Sequence, residues 1–143
     1  MARYATTIES KLPASEAFAY MADFANACVW DPSVSKAVRV GDVPVGLGSA
    51  FDLVARFAGR DVPLRYEIVA YEPPKVVVLE ARRPGFVSRD TITVEPAEHG
   101  SVVRYDAILA FRGLGRLLDP VMQRIFDRVG ARATIGMQTA LNS

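Results

Sequence analysis

From Val34 to Phe111 apolar and polar residues alternate with a period of two, and only short clusters of turn-forming residues interrupt them. Side chains alternate between the two faces of an extended strand, so this pattern describes strands with one buried and one solvated face. The interruptions are a loop marked by Gly41, Pro44, Gly46 and Gly48, then Ala58-Gly59-Arg60, Glu72-Pro73-Pro74-Lys75, Arg83-Pro84-Gly85 and Ala97-Glu98-His99-Gly100. Between them lie strands at 34–40, 49–58, 61–71, 75–82, 85–95 and 101–111. None of the interruptions is long enough for the crossover that parallel neighbours require, so successive strands must pair antiparallel.

The flanks are different. Tyr4–Ser10 is rich in Thr and Ile and reads as one more short strand. Leu12-Pro13 stops it, and Pro13 suits the first turn of a helix. Ser15–Asp23 carries Phe18, Met21 and Ala22 at helical spacing. Phe24–Val29 reads as a second short helix, ended where Asp31 precedes Pro32. After Gly113 the alternation stops. Leu114, Leu117, Leu118, Val121, Met122, Ile125, Phe126 and Val129 form a helical stripe, with Pro120 in its first turn or at a kink. The helix is expected to continue to about Leu141. It passes through Gly130 and Gly136, each costing about 1 kcal/mol relative to Ala and so read as a close approach or a bend.

The order is one strand, two short helices, six strands and one long helix. It predicts an α+β protein in which a curved antiparallel sheet wraps round the C-terminal helix. A chain of 143 residues, half of them hydrophobic, suits one domain with one core. Its 17 basic and 16 acidic side chains exert no global pull on nucleic acid. No apolar run approaches the length of a membrane-spanning helix. The polar N-terminus does not read as a signal peptide, and the single cysteine, Cys28, suits a reducing compartment, so the cytoplasm is the expected location. One Cys and one His, with no ligand motif and no phosphate loop, point to no metal and no cofactor.

The segment Leu12-Pro13-Ala14-Ser15-Glu16-Ala17-Phe18, followed by Trp30-Asp31-Pro32, resembles the START-like (SRPBCC) superfamily. This superfamily has the helix-grip fold and includes the Bet v 1 allergens and the polyketide cyclase/dehydrase-like proteins. Val45-Gly46 ahead of Phe51, and Gly100-Ser101-Val102-Val103, resemble further family signatures. The resemblance covers nearly the whole chain. It implies a deep cavity between sheet and long helix for an apolar or amphipathic molecule. These residues are marks of a fold and not of a reaction.

Alternation names the inner face of each strand. It comprises Phe51, Leu53, Ala55 and Phe57; then Leu64, Tyr66, Ile68 and Ala70; then Val77, Leu79 and Ala81; then Val103, Tyr105, Ala107, Leu109 and Phe111. In 85–95 the tight turn that follows sets the register. If Ile92 and Val94 face Tyr105 and Val103, then Phe86, Ser88 and Asp90 also point inward, Asp90 between Val77 and Ala107. Otherwise a bulge shifts the register and leaves Asp90 in solvent or at the cavity mouth. Pointing inward, Asp90 forms with Ser88, Tyr66 and Tyr105 the polar spot of an apolar pocket. The candidate binding residues are Phe51, Leu53, Tyr66, Ile68, Leu79, Ser88, Asp90, Tyr105 and Leu109 on the sheet. In a helix-grip fold, Met122, Ile125, Phe126 and Val129 add the helix wall.

Trp30 reads as a packing anchor under the second helix, Cys28 as a small buried hydrophobe, and His99 as a surface turn residue. The charges of the long helix read as a solvated face, its apolar stripe being needed to cover the sheet. Three functions stay open: a binder of a small hydrophobic or amphipathic molecule, a cyclase, aromatase or dehydratase using Asp90 as acid or base, and an interaction module whose cavity is filled by its own side chains. The absence of any inward-facing His weakens the second. The oligomeric state is not written in the sequence.

Overall fold

The computed structural model describes residues 1–143. The alternating segments form β2 (Val34–Val40), β3 (Ala50–Phe57), β4 (Arg60–Glu72), β5 (Val76–Arg83), β6 (Phe86–Ala97) and β7 (Gly100–Phe111). Together with β1 (Ala2–Ser10) they make one seven-stranded antiparallel sheet in the order β1-β7-β6-β5-β4-β3-β2. Between β1 and β2 lie α1 (Ala14–Ala22), a single 3-10 turn (Phe24–Asn26) and α2 (Ala27–Trp30). After β7 come a 3-10 strap (Gly113–Leu118) and the long helix α3 (Asp119–Ala140). This is the expected helix-grip architecture.

The turn at residues 98–99 sets β6 against β7 with Ile92 opposite Tyr105 and Val94 opposite Val103. Asp90 therefore lies on the inner face, between Leu79 and Ala107. The expected neighbour Val77 is two residue pairs further along, opposite Ile92. Register shifts do occur, but elsewhere, between Val34 and Lys36 and between Ile68 and Ala70. The second shift corrects the reading of β4. Val69 is exposed, Ala70 pairs with the outward Val78, and Tyr71 takes the inner position opposite Val77. Its ring packs 5.6 Å from that of Phe18 on α1.

The strand ends divide the inner volume in two. At the end where β1 finishes and β6 turns into β7, α1 lies across the sheet and fills the space with Phe18 and Met21, both buried. The last turn of α3 is tied to this end. Ser10 Oγ donates to the Leu141 carbonyl at 2.7 Å and accepts from Leu12 N at 3.1 Å. Ser10 is buried, so Ser10→Ala leaves two backbone groups unsatisfied. It should cost about 1–3 kcal/mol, read as a lower urea midpoint with an unchanged slope. An unchanged midpoint would show that water takes over both bonds.

At the opposite end, where β3 turns into β4 and β5 into β6, the half-buried rings of Phe57, Phe86, Phe111 and Phe126 gather instead. The chain leaves β7 here and must turn back before it can lie on the sheet. Gly113 makes that turn at φ +59°. The expectation that the whole apolar stripe covers the sheet therefore fails at its beginning. Leu114, Leu117, Leu118 and Val121 are exposed, and the buried residues of α3 are Gly130, Ala133 and Met137. Pro120 sits in the first turn of α3, where its missing N–H costs nothing.

Candidate ligand-binding cavity

Between the sheet and α3 lies a cavity of about 140 Å³, lined by 24 residues of which 19 are hydrophobic. Of the residues expected from the sequence, Leu53, Tyr66, Ser88, Asp90, Tyr105, Leu109 and Phe126 line it, and so does Val129. Phe51, Ile68 and Leu79 face inward as expected but do not reach the cavity; they are fully buried in the core. The ring of Phe24 lies 6.4 Å from Phe51. Parity along a strand says which face a side chain takes, and not how far along the face the helices have filled the space. Met122 and Ile125 do not line it either. On α3 the inward series is Phe126, Val129, Gly130 and Ala133. Ile125 is turned about 100° from Phe126, and Met122 precedes the part of the helix that lies over the chamber.

The polar spot is present. Tyr105 donates from its hydroxyl to Asp90 Oδ2 at 2.6 Å, and the hydroxyls of Tyr66 and Ser88 share a hydrogen bond of 2.8 Å. All four side chains are buried. Burial raises the Asp90 carboxyl to about 7, the Tyr105 hydrogen bond working against it and the charges of Asp31 and Asp106 adding to it. Both tyrosine hydroxyls are pushed well above their usual value, first by burial and then by the charge of Asp90. The cause is desolvation, which disfavours the charged form of any group placed here.

The segment between α1 and β2 adds lining residues that strand parity does not name, among them Phe24, Trp30 and Asp31. Trp30 is an anchor, as read, and also a wall; its ring is 5.4 Å from Tyr105 and 5.9 Å from Phe24, edge-on in both cases. Its Nε1 is buried with no acceptor. Asp31 also faces the chamber. Its Oδ1 accepts from Ser33 N at 2.9 Å and from Ser33 Oγ at 2.7 Å. This bond to the backbone two residues on is an Asx-turn, which Asp-Pro-Ser encodes, though no periodicity says which way it points. Burial raises its carboxyl too, Ser33 opposing the shift.

Cys28, expected inside, is exposed, with Sγ 3.4 Å from the Ala25 carbonyl. A one-turn helix that buries Ala27 and Trp30 leaves the residues between them outside. His99 is exposed in the β6–β7 turn, as read. The outer face carries the expected mixed charges: Arg65 on Asp52, Arg3 on Asp106, and Arg82 and Arg89 on Glu80. Nowhere do three His, Cys, Asp or Glu side chains come together as a metal site would require. No helix is long and apolar enough to cross a membrane.

A sheet closed by one long helix over an apolar chamber defines a class, and the sequence places the chain within it. Residues 1–141 match the family described as polyketide cyclase / dehydrase and lipid transport, so the chain belongs to that family. Solved structures share its fold. A START superfamily protein from Mycobacterium smegmatis superposes with a TM-score of 0.80 at 9% identity, covering 99% of this chain and 97% of that one. A protein from Thermus thermophilus gives 0.77 at 15% identity, covering 98% and 95%. The Zhui aromatase/cyclase from Streptomyces sp. R1128 gives 0.70 at 14% identity, covering 97% and 90%. None of the curated proteins matches it in sequence.

Proposed function

We propose that this protein binds a small apolar or amphipathic molecule, of the lipid, polyketide or aromatic-metabolite kind, in the chamber between the sheet and α3. The observation that carries this reading is an apolar cavity with two buried hydrogen-bonded pairs, Tyr105–Asp90 and Tyr66–Ser88, on its wall. Binding sites for small molecules have this make-up, apolar walls for affinity and a few polar groups for orientation. The open volume supports a working chamber over one filled by the protein's own side chains. At about 140 Å³ it suits a one-ring body. A longer ligand needs the half-buried phenylalanines Phe57, Phe86, Phe111 and Phe126 to move aside.

Native mass spectrometry of protein purified from its own host should show a co-purified mass. A panel of one-ring probes should raise the melting temperature by several degrees at saturating concentration. Ala107→Leu, which pushes three carbons into the chamber beside Asp90, should abolish that rise without unfolding the protein. A protein that is repeatedly empty and unmoved by every probe would remove the reading.

A second reading rests on Asp90 alone. A buried carboxyl near 7 can both give and take a proton at neutral pH. In a cyclase or aromatase, Asp90 would move the proton, and Tyr66 and Tyr105 would polarise a carbonyl. Turnover of a polyketide-like substrate that vanishes in Asp90→Asn, while binding persists, would select this reading.

A further inference from the structure

The ionisable lining of the chamber is of one sign. Asp31 and Asp90 supply two carboxyl groups, and no Lys, Arg or His is among the lining residues. Each carboxyl spends only one oxygen on the protein. Asp90 Oδ2 takes the Tyr105 hydroxyl and Asp31 Oδ1 takes Ser33. Asp90 Oδ1 and Asp31 Oδ2 have no protein donor, yet neither is sealed in protein like the indole nitrogen of Trp30. Two acceptor positions are therefore open on buried or part-buried side chains at the cavity wall. A buried carboxylate without a partner is costly, and an opposite charge or a donor relieves the cost.

The walls around them are aromatic. Phe24 lies edge-on to Tyr66 at 5.1 Å, and Trp30 edge-on to Tyr105 at 5.4 Å. All four rings border the chamber. The face of an aromatic ring attracts a cation, Trp most strongly. Once Asp90 is ionised, above about pH 7, a ligand ending in a carboxylate or phosphate would meet two like charges and no counter-charge. A neutral alcohol would supply one donor. A protonated amine supplies several donors together with the missing charge.

We propose that the molecule this cavity selects is an amine cation with a one-ring apolar body, its ammonium group donating to the free carboxylate oxygens at the Asp90 and Asp31 end. The apolar body extends towards Leu53, Leu109 and Phe126. Asp31 and Asp90 then act as the specificity-determining pair, and the aromatic rings complete the cation site. This inference rests on the reading of the chamber as a ligand site and narrows it to one ligand charge.

Three probes of nearly equal shape test it: benzylamine, benzyl alcohol and benzoate, each titrated calorimetrically into the intact protein near pH 8 at low salt. Benzylamine is expected to bind at least ~10-fold more tightly than benzyl alcohol, the scale of one charge-assisted hydrogen bond, and benzoate to give no detectable heat. Asp90→Asn should cost benzylamine that ~10-fold and cost the alcohol far less. Asp31→Asn is the second variant, and the ranking of the three probes on the unaltered protein needs no variant at all. Benzyl alcohol binding as tightly as benzylamine, or benzoate binding at all comparably, overturns the amine assignment while leaving the chamber a ligand site. Binding of none of the three overturns both.

Discussion

Replacing Gly136 by Ala should destabilise the protein by about 3 kcal/mol or more, although helix propensity alone favours the change by about 1 kcal/mol. A Cβ at this position would fall far inside van der Waals contact distance of the Trp30 carbonyl oxygen. The obstacle is backbone and not the end of a flexible side chain, so α3 itself must move away from α2. That movement carries α3 off the wall of the chamber, because Trp30 and Ala133 both line it. In a domain of this size the loss corresponds to a melting temperature lower by roughly 10 °C. A scanning calorimetry trace of Gly136→Ala checks it. A variant as stable as the parent would mean that the two helices are not held in this contact. Gly130 is a softer case, since its Cβ would press on the ring of Tyr4, whose hydroxyl bonds Thr134 at 2.9 Å.

The second large effect is the pH dependence set by Asp90. Its carboxyl ionises near 7 in the folded chain against 3.8 for an ordinary aspartate. Between these values the folded state holds a proton that the unfolded state has released. Stability therefore falls as pH rises from about 4 through about 7 and levels off above that. A gap of this size corresponds to at most about 4 kcal/mol, with water in the chamber reducing it. Asp90→Asn removes the ionisation and keeps an oxygen to accept from Tyr105. Its melting temperature should match or trail the parent near pH 4.5 and exceed it by pH 8. Parallel curves for the two proteins would show that Asp90 is charged and fully compensated in the fold. Saturation with an amine that pairs with the ionised carboxylate should flatten the slope of the parent.

The charged and apolar faces of the strands were readable because a strand exposes its two faces with a period of two. Arg65 and Glu67 point outward, while Tyr66 is buried between them. Register was readable where a two-residue turn pins it, which is why Ser88 and Asp90 could be placed on the inner face. It was not readable past Ile68, where an extra residue reverses parity and nothing in Val69-Ala70-Tyr71 announces the reversal. The exposed Leu114, Leu117 and Leu118 show the limit of a helical stripe. Periodicity identifies a face, but that face covers the sheet only where the sheet extends beneath it.

The order of elements, the antiparallel pairing and the inward set of most strands were thus determined by the sequence itself, through local periodicities and turn chemistry, while the inward position of Asp90 was one of two registers the sequence left open and the β6–β7 pairing decided. Three things were decided only by the tertiary structure. One is the depth of the chamber, which excludes Phe51, Ile68 and Leu79 because α1 and the turn after it fill their end of the sheet. Another is the contact of Gly136 with the Trp30 backbone. The last is the placing of Asp31 and Asp90 around one chamber, from positions 59 residues apart in the sequence. Periodicity reports which side of its own element a residue occupies. Which elements share that side is set by how sheet and helices close on one another, and that closure gives the chamber its two carboxyl groups and no counter-charge.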